Sequence, residues 1–363
     1  VSPNTVAQLF GSLIASFALS ACVTWLGIRY AHRRNLIDQP GQRRSHSLPT
    51  PRGGGIGIVM AVLALYVFET LLLPREATPD LLACACAIAL VAAVGWIDDH
   101  GGLAARWRLL AHFAAALLIL LGPEAAGLGY FASGNPVAYA RALVLAIALL
   151  SMVWSINLHN FMDGINGLLS LQAIFVFLAL AMLAGSVGAD ADAWHLCALS
   201  AAVVAFVPFN FPRARVFMGD VGSGALGLLI GIAVLRQMSL AGIAPLSGVV
   251  ACSAFVADAT CNLLSRMLRG KRWYSAHREH LYQWMARSGM SHARVVGWYM
   301  GWNLFVVVPV LYAMNAGGAD IGRPAFSAWP WVAGTYALAV ALWIFGKRWC
   351  LQKVKSQRRH AAA

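Results

Sequence analysis

The sequence predicts an all-α polytopic membrane protein, and three observations carry that prediction. The chain of 363 residues is 60% hydrophobic and only 11% charged, against about 25% charged in a typical globular domain, and its mean hydropathy is +0.68. Its apolar residues come in long runs, near the ~20 residues that span a bilayer. Its basic residues are gathered between alternate runs. So little charge cannot cover a water-facing surface, and membrane spans fill the length instead of separate soluble domains. Residues 1–363 therefore read as one integral-membrane domain, with a basic cytoplasmic tail at 348–363.

Eleven runs read as spans: about 6–26, 53–73, 80–97, 107–121, 139–156, 167–184, 193–208, 221–235, 243–262, 295–315 and 329–347. All are taken as helices, because an isolated strand in lipid leaves its backbone unpaired. The first, Val6–Leu26, has no basic segment before it and reads as a span, not as a cleavable signal. The second and eighth carry the glycine clusters Gly53–Gly57 and Gly222–Gly231. Such clusters allow close helix contact, or a sharp turn near a phosphate. The seven cysteines show neither metal-ligand spacing nor a disulfide framework.

Charge orients the spans. With the N-terminus on side one, side two holds 27–52, 98–106, 157–166, 209–220, 263–294 and the C-terminal tail. With Arg108 and Lys347, at the edges of their spans, assigned to the neighbouring loop and tail, side two carries 23 of the 27 Lys and Arg; side one has only Arg75, Arg141, Arg236 and Arg323. Cytoplasmic loops carry the positive excess. The N-terminus is therefore predicted outside, and the C-terminus and catalytic loops cytoplasmic. Topology and contact with anionic membrane lipids account for the +13 net charge, so no nucleic-acid partner is expected.

The chemistry-bearing residues fall on that cytoplasmic face. Asp98 and Asp99 follow the third span in GWIDDHGG. They mark either a helix end facing water or a hard-cation site with an acid–base group beside it, since Mg²⁺ takes one or two carboxylates plus substrate phosphates. Asp220 lies between Gly219 and Gly222 in VFMGDVGSG. N–H groups at a helix start attract phosphate, and a carboxylate there repels it unless a cation lies between. The segment reads as a Mg²⁺-diphosphate site or as a capping aspartate.

In NLHNFMDGINGL, Asn157 and Asn160 share a face if the fifth helix continues, with Asp163 on the same stride. Amides there suit a nucleobase, a sugar or a backbone carbonyl. Asn210 ends another span ten residues before Asp220, as a site residue or a helix cap. In SRMLRGKRWYSAHREH, Arg266, Arg269, Lys271 and Arg272 precede His277 and His280. That run either recognises a phosphate or anchors the loop to headgroups. It lacks the glutamate placement of HExxH, so zinc is not expected.

Together, DD in GWIDDH, NFMDGINGL, VFMGDVGSG and the late histidine-containing loop resemble the polyprenyl-phosphate N-acetylhexosamine-1-phosphate transferases, glycosyltransferase family 4, over about residues 35–295. The resemblance implies a multi-pass protein of the bacterial inner membrane with its site on the cytoplasmic face. It implies transfer of a sugar-1-phosphate from a UDP-N-acetylhexosamine to undecaprenyl phosphate, releasing UMP; a homodimer is compatible with it. Carried onto this chain, it makes Asp220 and Asp99 ligands of Mg²⁺, with Mn²⁺ as a substitute, and Asp98 a proton acceptor near the lipid phosphate. Asn157, Asn160 and Asp163 surround the nucleotide-sugar, Asn210 lies near the diphosphate, and Phe217 stacks on uracil. His277 and His280 handle the sugar or diphosphate, and His46 and Arg272 bind substrate.

The chain departs from the phospho-MurNAc-pentapeptide translocases. HREH stands where they carry a triple-histidine run, and SHSLPTPRGGGIG at 45–57 where they carry a lysine-containing segment. It looks more like the branch that initiates lipopolysaccharide O-antigen. That leaves UDP-GlcNAc and a 6-deoxy relative such as UDP-FucNAc or UDP-QuiNAc open as donors, with the pentapeptide transferase as the alternative. A transporter is the rival of another class, because Asp258 lies inside the ninth span and intramembrane acids often mark a pathway. Direct attack by the lipid phosphate and a covalent route through Asp98 are both open.

Overall fold

The computed structural model describes residues 3–39, 48–72, 78–122, 138–271, 278–316 and 328–362. Among these, eight helices are long and apolar enough to cross a membrane. The chain is an all-α polytopic membrane protein. The first half comprises α1 (Pro3–Arg34), α2 (Ile56–Leu72), α3 (Thr78–Gly101), α4 (Ala105–Leu120) and α5 (Ala138–Met162). Next come α6 (Leu168–Ser186), α7 (Asp190–Asn210) and α8 (Asp220–Gln237). The last third holds α9 (Ser247–Ala251), α10 (Ser253–Leu268), α11 (Leu281–Arg287), α12 (His292–Trp302), α13 (Val308–Asn315) and α14 (Trp329–Ala362).

Every predicted span falls on a helix, but two fall on interrupted ones. The run predicted at 243–262 is split at Cys252 into α9 and α10. The run at 295–315 passes through a π-helical turn, Asn303–Val307, between α12 and α13. Pro309 follows that turn. Its ring nitrogen carries no proton for the preceding turn's carbonyl, so the regular ladder cannot continue there. A pair of two-residue strands, β1 (Ile37–Asp38) and β2 (Thr50–Pro51), also differs from the wholly helical expectation. It closes the connection between α1 and α2, with the Arg52 amide donating to the Leu36 carbonyl at 3.1 Å.

The glycine-rich α8 is the central helix, buried along most of its length and about 27 Å long at 1.5 Å per residue. Its neighbours approach because side chains are missing. A Cβ on Gly95 of α3 would lie 2.4 Å from the Asp220 carbonyl oxygen, and one on Gly55 would lie 2.5 Å from the Gly222 Cα. Polar side chains fasten the helices to one another: Ser20 donates to the Ala202 carbonyl and Ser155 to the Gly227 carbonyl, each at 2.7 Å. In lipid, such fit and hydrogen bonding replace the hydrophobic drive between helices.

Candidate active site

The ends of α3, α5 and α7 and the start of α8 meet at one end of the bundle. Two loops are laced beside them. The Gly54 and Gly55 amides donate to the carbonyls of Phe217 and Met218 at 2.9 and 2.8 Å, and the Phe217 amide donates to the Pro51 carbonyl at 2.8 Å. This places the glycine run after SHSLPTPR directly against VFMGD. Gly219 takes φ +77°, and a Cβ there would lie 2.5 Å from Asp99 Oδ2; the position favours glycine on both counts.

Asp99 is 4% exposed and caps α8 from another helix. Its two oxygens accept the amides of Asp220 and Val221, each at 3.1 Å. A carboxylate at a helix start satisfies unpaired N–H groups and suits the dipole. Amides expected to face a phosphate are thus engaged by Asp99. Beside it, one nitrogen of Arg108 lies 2.6 Å from Asp98 Oδ2 and 3.1 Å from Asp220 Oδ2. The Leu103 amide also donates to Asp98 Oδ1. Asn160 donates to Asp220 Oδ1 at 3.0 Å and to Ser223 Oγ at 2.9 Å. Asp220 is therefore held by an amide on one oxygen and a guanidinium on the other.

A cavity of about 240 Å³ opens here, lined by Asp99, Asp163, Asn210, Phe217 and Asp220 among the predicted residues. Asn210 stitches its wall, accepting the Gly167 amide at 2.7 Å and donating to the Val216 carbonyl at 3.0 Å. Burial pushes the Asp163 carboxyl well above the usual range, and the charges of Asp220 and Asp99 add to that push.

Two other expected residues, Asn157 and His280, lie apart. Asn157 turns to α4, donating toward His112 Nδ1 at 3.2 Å and to the Val153 carbonyl at 2.7 Å. His280 is buried behind the cavity, 3.8 Å from Asp258. His46, Arg272 and His277 lie outside the described residues. Four ionisable lining residues were not among the predicted site residues: Asp38, Arg52, Arg278 and His292. Arg52, next to the Gly53–Gly57 run, and Arg278, inside HREH, stood beside segments already singled out. Arg108 was also missed as a site residue, although only residues 102–104 separate α3 from α4 and so return it to Asp98.

The donor set suits a hard cation. The cavity offers carboxylate oxygens from Asp99, Asp163 and Asp220, and their mutual repulsion is what a bound cation relieves. Among the described residues, no three His, Cys, Asp or Glu side chains already form a metal cage. Mg²⁺ does not need one, since it usually takes one or two carboxylates and completes its shell with water and substrate phosphate.

A multi-pass membrane protein with a carboxylate-lined pocket at one end of its helices is the class these features define. The glycosyl transferase family 4 model matches residues 81–238, the stretch that carries Asp98, Asp99, Asn160, Asp163, Asn210 and Asp220. That stretch of the chain thus matches the family, and the similarity of the chain to known phosphotransferases makes it a membrane transferase. It is 29% identical over 317 residues to the decaprenyl-phosphate N-acetylglucosaminephosphotransferase of Mycolicibacterium smegmatis, covering 79% of this chain and 76% of the relative. It is 26% identical over 290 residues to the undecaprenyl-phosphate alpha-N-acetylglucosaminyl 1-phosphate transferase of Escherichia coli, covering 77% of each. It is also 29% identical over 248 residues to the phospho-N-acetylmuramoyl-pentapeptide-transferase of Shouchella clausii, covering 63% of this chain and 75% of the relative.

Proposed function

We propose that this protein transfers an N-acetylhexosamine-1-phosphate from a UDP-sugar to undecaprenyl phosphate on the cytoplasmic face of the bacterial inner membrane. The products are undecaprenyl-diphosphate-sugar and UMP, and the step initiates lipopolysaccharide O-antigen. The observation that carries this reading is one cavity that sets Asp99, Asp163 and Asp220 beside Phe217, Arg52 and Arg278. Carboxylates for a cation, cations for phosphate and an aromatic face for a base are what a nucleoside diphosphate donor requires. The predicted eleven spans, with the N-terminus outside, belong to the same proposal.

In the reaction, an acceptor phosphate oxygen bonds to the phosphorus attached to the sugar, and the bond from that phosphorus to the UMP oxygen breaks. Mg²⁺ bound by Asp220 and Asp99, with Asp163 beside them, would supply charge neutralisation on the diphosphate. Phe217 stacks on the uracil ring, and Arg52 and Arg278 take phosphate oxygens. Arg108, already between Asp98 and Asp220, orients both carboxylates and offers positive charge where two anions must meet. Positioning and charge neutralisation account for most of phosphoryl transfer. Asp98 is engaged by Arg108 and by the Leu103 amide, which favours direct attack by the lipid phosphate over a covalent Asp98 intermediate. Asp258, the acid on which a transport reading rested, is 2% exposed and serves as a hydrogen-bond hub.

The test is UMP release across a donor panel at fixed undecaprenyl phosphate and Mg²⁺. Turnover is expected with UDP-GlcNAc or a 6-deoxy-N-acetylhexosamine donor and little with UDP-MurNAc-pentapeptide. A site that hydrogen-bonds the 6-hydroxyl rejects the deoxy sugar strongly, whereas an apolar lining discriminates only weakly. Preference for the pentapeptide donor would move the enzyme to peptidoglycan synthesis.

A further inference from the structure

Behind the cavity wall stands a side chain that neither the family match nor the reaction assigns. Tyr282, in the first turn of α11, is 0% exposed. Its hydroxyl donates to the Phe161 carbonyl at 2.8 Å and accepts from Gln283 Nε2 at 3.0 Å. The ring end is pressed against the segment that carries Asp163. A Cβ built on Gly164 would lie 2.1 Å from the Tyr282 oxygen and 3.0 Å from its ring carbon. Gly164 and Asp163 both line the cavity, so the tyrosine touches the rear of the wall whose front faces the substrate.

Tyr282 is itself clamped. Asp258 Oδ1 accepts the Leu281 amide at 2.8 Å, and Oδ2 accepts the Tyr282 amide at 3.5 Å. The same carboxylate accepts the Tyr299 hydroxyl at 2.7 Å and the Trp343 indole N–H at 2.9 Å. One buried acid thus ties α10 to α11, α12 and α14. A buried carboxylate met by several donors is a rigid anchor, because losing any donor leaves its charge exposed to a poor solvent. The line of contact runs from Asp258 through Tyr282 to Phe161 and Gly164.

We infer that Tyr282, clamped by Asp258, is a positioning residue that sets the cavity wall bearing Asp163 opposite Asp220. The inference rests on the transferase reading above. Holding reactive groups in place is a large part of catalysis, and a displacement of about 1 Å can cost ~10²-fold in rate. Tyr282→Phe removes only the hydroxyl and keeps the ring. Gly164→Ala places a methyl in the hydroxyl's space.

The test compares full-length wild type, both single variants and the double variant. Each is assayed for UMP release at saturating UDP-N-acetylhexosamine while Mg²⁺ is titrated, with thermal unfolding in parallel. Amide hydrogen exchange of residues 160–167 is followed in the metal-free protein. Tyr282→Phe is expected to lower kcat about tenfold or more and to raise the Mg²⁺ needed for half-maximal rate. KM for the lipid should be unchanged, and exchange in 160–167 faster. Gly164→Ala should also lower kcat, and adding Tyr282→Phe should restore part of that loss by removing the closest contact. Wild-type kcat and Mg²⁺ dependence in Tyr282→Phe would overturn the inference, as would a rate loss that only tracks the folded fraction. If Tyr282→Phe does not fold, Gly164→Ala alone decides by the same two criteria. Wild-type protein that turns over no donor overturns the transferase reading and, with it, this inference.

Discussion

Arg108 and Asp220 are joined across two helices: a guanidinium nitrogen on α4 lies 3.1 Å from a carboxylate oxygen at the start of α8. The same nitrogen holds Asp98 at 2.6 Å. Arg108→Met should therefore lower kcat by about a hundredfold, the size of effect seen when one electrostatic stabiliser is removed from a site. Its side chain is 35% exposed, so the change in stability should stay within about 1 kcal/mol. UMP release measured beside thermal unfolding separates the two effects. A variant with unchanged kcat would remove Arg108 from the proposed machinery.

Asp220→Asn keeps the size of the side chain and one acceptor for Asn160, but removes the charge. Folding and membrane insertion should be intact. Activity should fall at least about a hundredfold, equivalent to ~2.7 kcal/mol in the barrier. The deciding assay is UMP release at limiting Mg²⁺. A near-normal rate there would end the role proposed for Asp220.

Gly95→Ala tests the close approach of α3 to α8. The added Cβ would meet the Asp220 carbonyl at 2.4 Å, and overpacking of this kind costs about 1–3 kcal/mol. The melting temperature should drop. Because the displaced atom belongs to Asp220 itself, the fully folded fraction should also turn over more slowly. A stable and fully active variant would show that the helices separate without cost.

Orientation can be read by labelling. In a background with the seven native cysteines replaced, Ser186→Cys, at the last residue of α6, should react with an impermeant maleimide in intact spheroplasts. Ser356→Cys, in the last helix, should react only after permeabilisation. The reverse pattern would invert the proposed topology and move the cavity to the outer face.

Helix positions were legible in the sequence because apolarity over consecutive residues is a local property, and lipid demands it of every crossing helix. Alternation of the spans then assigned Asp98, Asp99, Asp163 and Asp220 to one face before any contact was known, and the structure sets all four around one pocket or its rim. Motif spacing also singled out Asn160 and Asn210, but not what each would touch. Asn210 binds the Gly167 amide across 43 residues, and Asn160 reaches Asp220 across 60.

The sequence by itself determined that this is a helical membrane protein with its motif aspartates gathered on one face. Only the tertiary structure decided which helices are neighbours. Asp99 caps α8 from 121 residues away, Arg108 bridges to Asp220 over 112, and the Tyr282 hydroxyl meets Phe161 over 121. No local pattern encodes such pairs. Helix neighbours in lipid are chosen by small-residue fit and by hydrogen bonds made once the helices touch. Asp258 shows the difference most plainly. Along the chain it is a lone acid inside an apolar run, and in the fold it is the anchor on which Leu281, Tyr282, Tyr299 and Trp343 converge.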